Sequence, residues 1–404
     1  MDILFLHQNT PGQFRYLVQA LAADGRHRIV FIGKRRDVAI KGVRILAYDS
    51  PKPPAAESHP YTRTLENAVR HGQQVARLCL QLKGEGFRPR LVIGHSGWGE
   101  TLFIRDVFPQ AKLLTYAEFF YRGEGADIGF DPADTVDLDT VARARIRTAP
   151  LILALESTDL ALCPTEWQKS VHPPAFHPII RVIFDGIDID KAKPNAAARF
   201  TLPDGRVLAA GDEVLTYVAR NLEPYRGFPY AMRALPAVLD ARPNAVAVIV
   251  GGDEISYGSP PKDGGTWRET MVAEAGLERF GGRIVFTGKL PYNDYLALLQ
   301  VSRAHLYLTY PFVLSWSCLE AMASGCLLVA SDSAPVREVI EDGVNGVLVP
   351  FADVPAIAEK VIAALASPRD FMPLRKAARE TVVSRYALAD CRAKQLALLQ
   401  EMLG

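Results

Sequence analysis

The sequence has no excess of charge: 46 basic residues stand against 45 acidic ones, a net charge of +1 in 404 residues. No global field is left to hold a polyanion, so nucleic acid is excluded as a general partner and any anion site must be local. Cysteine is sparse as well. Cys79, Cys163, Cys318, Cys326 and Cys391 show no CxxC or metal-ligand spacing and mostly sit in apolar runs. They read as buried thiols of a reducing, cytoplasmic compartment rather than as a disulfide framework. No apolar run reaches the ~18 residues that would span a bilayer. The chain opens directly on a strand pattern at Asp2, which predicts that no signal peptide precedes the fold. Two nucleotide motifs are missing too. The first strand end, His7-Gln8-Asn9-Thr10-Pro11-Gly12-Gln13-Phe14, has one glycine and no GxGxxG, which argues against NAD or FAD. At Gly288-Lys289 a Walker site is excluded, because Leu290 replaces the required Ser/Thr and Arg283 the leading glycine.

What is present is a long alternation of strand and helix signals. A chain of 404 residues exceeds what one core normally organises. Short runs rich in branched apolar residues recur at 3–7, 28–32, 43–48, 91–93, 112–115, 160–163 and 179–184, with helical periodicity at 14–23 and 61–82. The pattern restarts at 214–219, 246–250, 284–287, 306–309, 327–331 and 347–349. This predicts α/β architecture with open, doubly wound parallel sheets, whose ligands bind outside the carboxyl ends of the strands.

Polar residues collect at those ends. In the first half, Gly12 either lets a ligand approach a helix N-terminus or relieves a tight turn, and His95 ends a strand in Gly94-His95-Ser96-Gly97-Trp98-Gly99-Glu100. Glu118 follows the next strand, ahead of an acidic, glycine-containing segment at 121–139 that reads as a loop over the site or a solvated insertion. Arg143, Arg145 and Arg147 read as a solvated helix face, ahead of the alternative that they touch an anionic acceptor. In the second half, Arg220 and Arg226 lie in ARNLEPYRG after the first strand, two guanidinium groups that either clamp a phosphate beside a helix starting near Phe228 or stand as unpaired surface arginines. Gly252 closes the next strand, before a Gly/Pro-rich loop at 254–267. The stretch LYLTYPFVLSWSCLEAMASGCLLVASDSAPVREVIEDGVNGVLVP then presents Ser315, Trp316 and Ser317 ahead of a helix expected to begin near Cys318, with Glu320 in its first turn. A carboxylate there complements the helix dipole, or it accepts the hydroxyls of a ribose whose phosphates sit on the helix end.

LEAMASGCLLVASDSAPVREVIEDGVNGVLVPFAD resembles the nucleotide-sugar segment of retaining glycosyltransferases of family four, also called glycosyl transferase group 1. Glu320 matches the second of that family's two glutamates, with Ala321, Met322, Ala323 and Gly325 behind it. The first would fall at Phe312. The family also has a histidine near position 117, where this chain has Ala117 beside Glu118, and a second glycine where it has Gln13. Phe184-Asp185-Gly186-Ile187-Asp188 is similar to the family's interdomain crossing.

The resemblance implies the GT-B fold, two Rossmann-like domains facing a central cleft. An acceptor-side domain would cover 1–186, joined by a C-terminal helix at 386–404, and a nucleotide-sugar domain would cover 187–385. It implies a UDP- or GDP-linked sugar as donor, and a glycan, lipid-linked or small-molecule acceptor, the lipid-linked case bringing contact with the inner face of a membrane. Arg220, Arg226 and Glu118 would serve catalysis. Gly12, His95, Gly252, Lys289, Leu290, Ser315, Trp316, Ser317 and Glu320 would serve binding, the backbone at 288–290 gripping the nucleobase. Neither cofactor nor metal is expected. The literal Asp-x-Asp matches at 137–139 and 188–190 do not lie at strand ends of the donor domain. An epimerase or phosphorylase on the same architecture, or a non-catalytic nucleotide-sugar sensor, stays open, and no oligomeric state follows from these residues.

Overall fold

The computed structural model describes residues 1–404. Its contacts divide the chain into two compact units, Met1–Gly186 with Ala389–Gly404, and Ile187–Leu388. In the first, β1 (Asp2–Leu6), β2 (Arg28–Gly33), β3 (Val43–Ala47), β4 (Pro89–His95), β5 (Lys112–Tyr116), β6 (Leu160–Cys163) and β7 (Ile180–Val182) form one parallel sheet in the order β3-β2-β1-β4-β5-β6-β7. The order reverses between β1 and β4, the place where an open sheet of this kind offers a crevice.

Both faces of this sheet are buried. Ile3 and Phe5 pack with Leu17 and Val18 of the helix Arg15–Ala23, whereas Leu4 and Leu6 pack with Val75, Cys79 and Leu82 of the helix Arg63–Gly84. That is why the strand reads as a continuous apolar run instead of an alternation. The helix Leu388–Leu403 belongs to the same core: Leu398, Leu399 and Met402 join the Ile3–Phe5 face. Gln395 Nε2 fastens it by donating to the Phe184 carbonyl at 3.3 Å. Where the chain leaves the first unit and later returns, Ile187 N–H donates to Tyr386 O and Leu388 N–H donates to Ile187 O, both at 2.8 Å, so the two segments run side by side.

The second unit opens with a small antiparallel hairpin, β8 (Arg199–Thr201) and β9 (Val207–Ala209). Its main sheet comprises β10 (Val214–Asn221), β11 (Val246–Gly252), β12 (Ile284–Gly288), β13 (Ala304–Tyr307), β14 (Leu327–Ser331) and β15 (Val347–Val349), in the order β12-β11-β10-β13-β14-β15. The sheet is again parallel, with its reversal between β10 and β13. Gly227 marks the turn into the helix Phe228–Ala241: its φ is +65°, and a Cβ there would stand 2.3 Å from that of Leu308. β13 stops at Tyr307, two residues before the expected 309. Beyond it the Thr309 N–H bonds the Ser331 hydroxyl (3.0 Å) in place of a strand carbonyl. No helix is long and apolar enough to cross a membrane.

Candidate active site

In the second unit the polar residues gather at the β10–β13 reversal. Arg226 is only 9 % exposed; its Nη1 donates to Thr309 Oγ1 (2.7 Å) and to the Val313 carbonyl (3.1 Å), and its own carbonyl accepts the Tyr217 hydroxyl (2.7 Å). Its guanidinium carbon lies 6.0 Å from the ring centre of Tyr257 and 5.9 Å from that of Phe312. The side chain is thus aimed by two bonds on one nitrogen, which leaves Nε and Nη2 to meet an anion. Arg220 is placed differently. The strand expected to end at Ala219 continues to Asn221, and past a register shift after Val218 Arg220 is exposed while Asn221 is buried. The two arginines share no protein partner: Arg226 is fixed inside and Arg220 is exposed. Phe312, at the place of the family's first glutamate, is buried against Tyr225 and Tyr257.

The helix expected near Cys318 begins earlier, at Trp316, and ends at Ala323. Glu320 therefore sits in its second turn, past the free N–H groups, and the dipole alone does not account for it. Its two oxygens are each taken by a tyrosine of the helix Tyr292–Val301: Tyr292 OH donates to Oε1 at 2.8 Å and Tyr295 OH to Oε2 at 2.9 Å. Burial lifts the Glu320 carboxyl above its usual value, and the two hydroxyls pull it back toward the charged form. At the helix start, Tyr307 OH accepts the Ser315 N–H (3.1 Å), the Ser315 and Ser317 hydroxyls bond each other (2.7 Å), and Trp316 is 43 % exposed.

Beside this helix the long loop at 254–267 is fastened down. Glu223, 1 % exposed, accepts the backbone N–H groups of Ser256, Tyr257 and Gly258 on one oxygen at 3.2, 3.0 and 3.0 Å. Asn221 Nδ2 adds a bond to Ser256 Oγ (2.8 Å). Gly252 is hemmed in by the side chains of Asn221, Glu254 and Lys289, each of which a Cβ would strike. Lys289 pairs with Glu254 (2.9 Å), and Leu290 packs on the apolar cluster of β10 and β11, so both side chains have work within the fold. The Asp-x-Asp residues have partners within the fold: Asp137 Oδ1 caps the helix Leu138–Arg147, Asp139 accepts the Tyr61 hydroxyl, and Asp188 binds Lys191.

In the first unit a polar chain crosses the β1–β4 reversal. His7 Nδ1 accepts the Asn9 N–H, which puts the ring proton on Nε2, 2.6 Å from Gln13 Oε1; Gln13 Nε2 then donates to Glu118 Oε1 at 2.5 Å. His95 Nδ1 likewise accepts from Gly97, and its Nε2 faces Glu118 Oε2 at 3.4 Å. Gln13 Nε2 and His95 Nε2 thus face the two oxygens of one carboxylate, whose side chain is 26 % exposed. Trp98 and Tyr116 stack on His95, and Gly12, with φ +52°, lies against the His7 ring, where any Cβ would collide. Glycine at 12 therefore answers to the turn and to His7.

Burial works to raise the Glu118 carboxyl, but His95, His7 and Gln13 together hold it below its usual value. Its stabilising contribution should be full above its usual value of 4.5 and be lost as the pH falls through the lowered one. Melting temperatures of wild type and Glu118→Gln measured from pH 7 to pH 3 should accordingly converge toward acid. Parallel curves would show that the charge of Glu118 is not what the histidines hold.

Sequence comparison places both units. The profile described as Glycosyl transferase family 4 group matches residues 25–192, and that described as Glycosyl transferases group 1 matches residues 202–381. The chain belongs to the group 1 glycosyltransferases. It is 28 % identical over 207 residues to a glycogen synthase of Mycobacterium tuberculosis, a match covering 51 % of this chain and 45 % of that one, so it spans about half the length of that relative. To the 2-deoxystreptamine glucosyltransferase of Streptomyces kanamyceticus it is 25 % identical over 287 residues, 68 % of each chain. HepE of Anabaena, solved in complex with UDP-glucose, superposes with a TM-score of 0.65 over 99 % of this chain and 100 % of its own at 17 % identity, a shared GT-B fold.

Several residues of this group 1 glycosyltransferase escaped the reading of its sequence: His7 and Gln13, which orient Glu118; Tyr292 and Tyr295, which hold Glu320; and Glu223, which holds the loop. The tyrosines alone had a visible signal, a spacing of i and i+3 on one helical face.

Proposed function

We propose that this protein transfers a sugar from a nucleoside-diphosphate sugar, UDP- or GDP-linked, to a glycan, lipid-linked or small-molecule acceptor in the cytoplasm, with retention of configuration and without a metal. The observation that carries the reading is Glu320: a mostly buried carboxylate one turn inside a helix whose N-terminus follows the β13 end, with buried Arg226 at the neighbouring β10 end. In this reading Glu320 takes the ribose hydroxyls, and the helix N-terminus and Arg226 take the diphosphate. Arg226, with Arg220 as an outer cation, would neutralise the charge that grows on the leaving phosphate, the work a metal does elsewhere. The group 1 membership supports the nucleotide-sugar class, and the relatives include a glycogen synthase and a 2-deoxystreptamine glucosyltransferase. The charged acceptor Glu118, with His95, would meet a sugar or acceptor hydroxyl.

A thermal-shift screen of UDP, GDP and their sugars tests the donor, since a ligand of the native state raises its stability. Turnover in EDTA tests metal independence, and the anomeric signal of the product by NMR tests retention. Glu320→Gln should weaken nucleoside-diphosphate binding by about 1.5–3 kcal/mol, the scale of hydrogen bonds to a charged group. Unchanged affinity in titration calorimetry would remove Glu320 from the donor site.

A further inference from the structure

Glu320 is held in a way that the nucleotide reading does not itself require. The helix Tyr292–Val301 presents two phenols three residues apart, and each donates to a different oxygen of the same carboxylate, at 2.8 and 2.9 Å. The two differ in setting. Tyr295 is 8 % exposed and belongs to the packed interior, while Tyr292, the first residue of its helix, is 36 % exposed. A carboxylate offers about four lone-pair positions, so these bonds leave one on each oxygen. Both remaining positions can be met at once by a vicinal diol, with the plane of the carboxylate already set.

We propose that Tyr292 and Tyr295 are positioning residues for ribose recognition: by fixing both oxygens of Glu320 they hold its plane for the 2′- and 3′-hydroxyls of a nucleoside diphosphate. The inference rests on the reading of Glu320 as the ribose acceptor. The carboxylate of a glutamate is otherwise free to turn about three side-chain bonds, the last of which sets its plane, and a diol contact loses strength as soon as one oxygen rotates away. The phenols also favour the ionised state. Burial lifts the Glu320 carboxyl, and the groups that oppose the lift are these two hydroxyls. Removing either shifts Glu320 toward protonation, in which one oxygen becomes a donor and no longer accepts from the diol.

Phenylalanine at either position keeps the ring and deletes only the donor. Binding of UDP and GDP, and of the 2′-deoxy counterparts dUDP and dGDP, should be measured by calorimetry from pH 4.5 to pH 8 for wild type, Tyr295→Phe, Tyr292→Phe and Glu320→Gln. Wild type should prefer ribose over 2′-deoxyribose. Tyr295→Phe should reduce that preference by about tenfold, the scale of one hydrogen bond to a charged acceptor. The pH below which its affinity falls should move upward, and the exposed Tyr292→Phe should show a smaller change of the same sign. If Glu320→Gln loses the ribose preference but both tyrosine variants keep it, with an unmoved acid limb, the tyrosines only pack and the proposal is wrong while the donor reading stands. If Glu320→Gln keeps wild-type affinity and preference, or neither ribonucleotide binds wild type, the donor reading itself has failed.

Discussion

Arg226→Ala should lose on the order of 100-fold or more in turnover at saturating donor, the scale observed when one donor to a developing charge is removed. The structural cost of the substitution is limited by what each former partner retains. Thr309 Oγ1, which loses the guanidinium, keeps its own bond to the Tyr310 carbonyl at 3.0 Å, and the Val313 carbonyl lies at a half-buried position. A net loss of about 1–3 kcal/mol for the two bonds is expected. The variant should therefore stay folded and bind donor measurably, yet fail in the chemical step. Arg226→Lys keeps the charge but cannot place one nitrogen on Thr309 and Val313 while others reach an anion, so it should fall between the two. Rapid-quench measurement of one turnover separates chemistry from release. Wild-type turnover in a folded Arg226→Ala enzyme would exclude Arg226 from catalysis.

The second large effect is expected at a residue that touches no proposed substrate. Glu223→Ala takes away the acceptor of three backbone N–H groups at 256–258, under a side chain that is 1 % exposed. The solvent-side loop can recover part of that with water, so a cost of about 3 kcal/mol is expected in place of the sum of three charged bonds. For a unit of this size that corresponds to roughly 6–12 °C in Tm. Tyr257 is carried by the same segment and faces both Phe312 and Arg226, so donor affinity should decline with stability. Glu223→Gln retains the shape and one carbonyl oxygen, and should recover a good part of both. Calorimetric scans of the variants with and without UDP or GDP would measure this. A Glu223→Ala protein with the wild-type Tm would mean that the loop is fixed by other contacts.

The strands of both sheets were legible because parallel strands buried on two faces leave dense runs of Val, Ile and Leu, and β6, β14 and β15 fall where those runs stand. Ends were less legible, for a reason visible at β10. Two residues of extra strand turn Arg220 outward and bury Asn221, and no composition rule marks where pairing stops. Glu320 was identifiable from its motif, its tyrosine partners only from spacing. Glu223 was not identifiable at all, because its three partners are backbone N–H groups 33–35 residues away, which carry no residue signature. The same holds for the His7–Gln13–Glu118 chain, whose last bond joins residues 105 apart in sequence.

The helix Leu388–Leu403 supplies Leu398, Leu399 and Met402 to the core built on Ile3 and Phe5. During synthesis the first unit therefore waits for the whole of the second to be translated before its Ile3–Phe5 face can be covered. At the usual ~5–20 residues per second this interval is roughly 10–40 s. Throughout it, an apolar seat on the nascent chain faces the ribosome surface and any chaperone nearby. The strands β1 to β7 are all translated before the second unit begins, so only the closing helix of the first unit arrives late. A stop codon just before Ala389 would leave an intact second unit attached to a first unit that never closes.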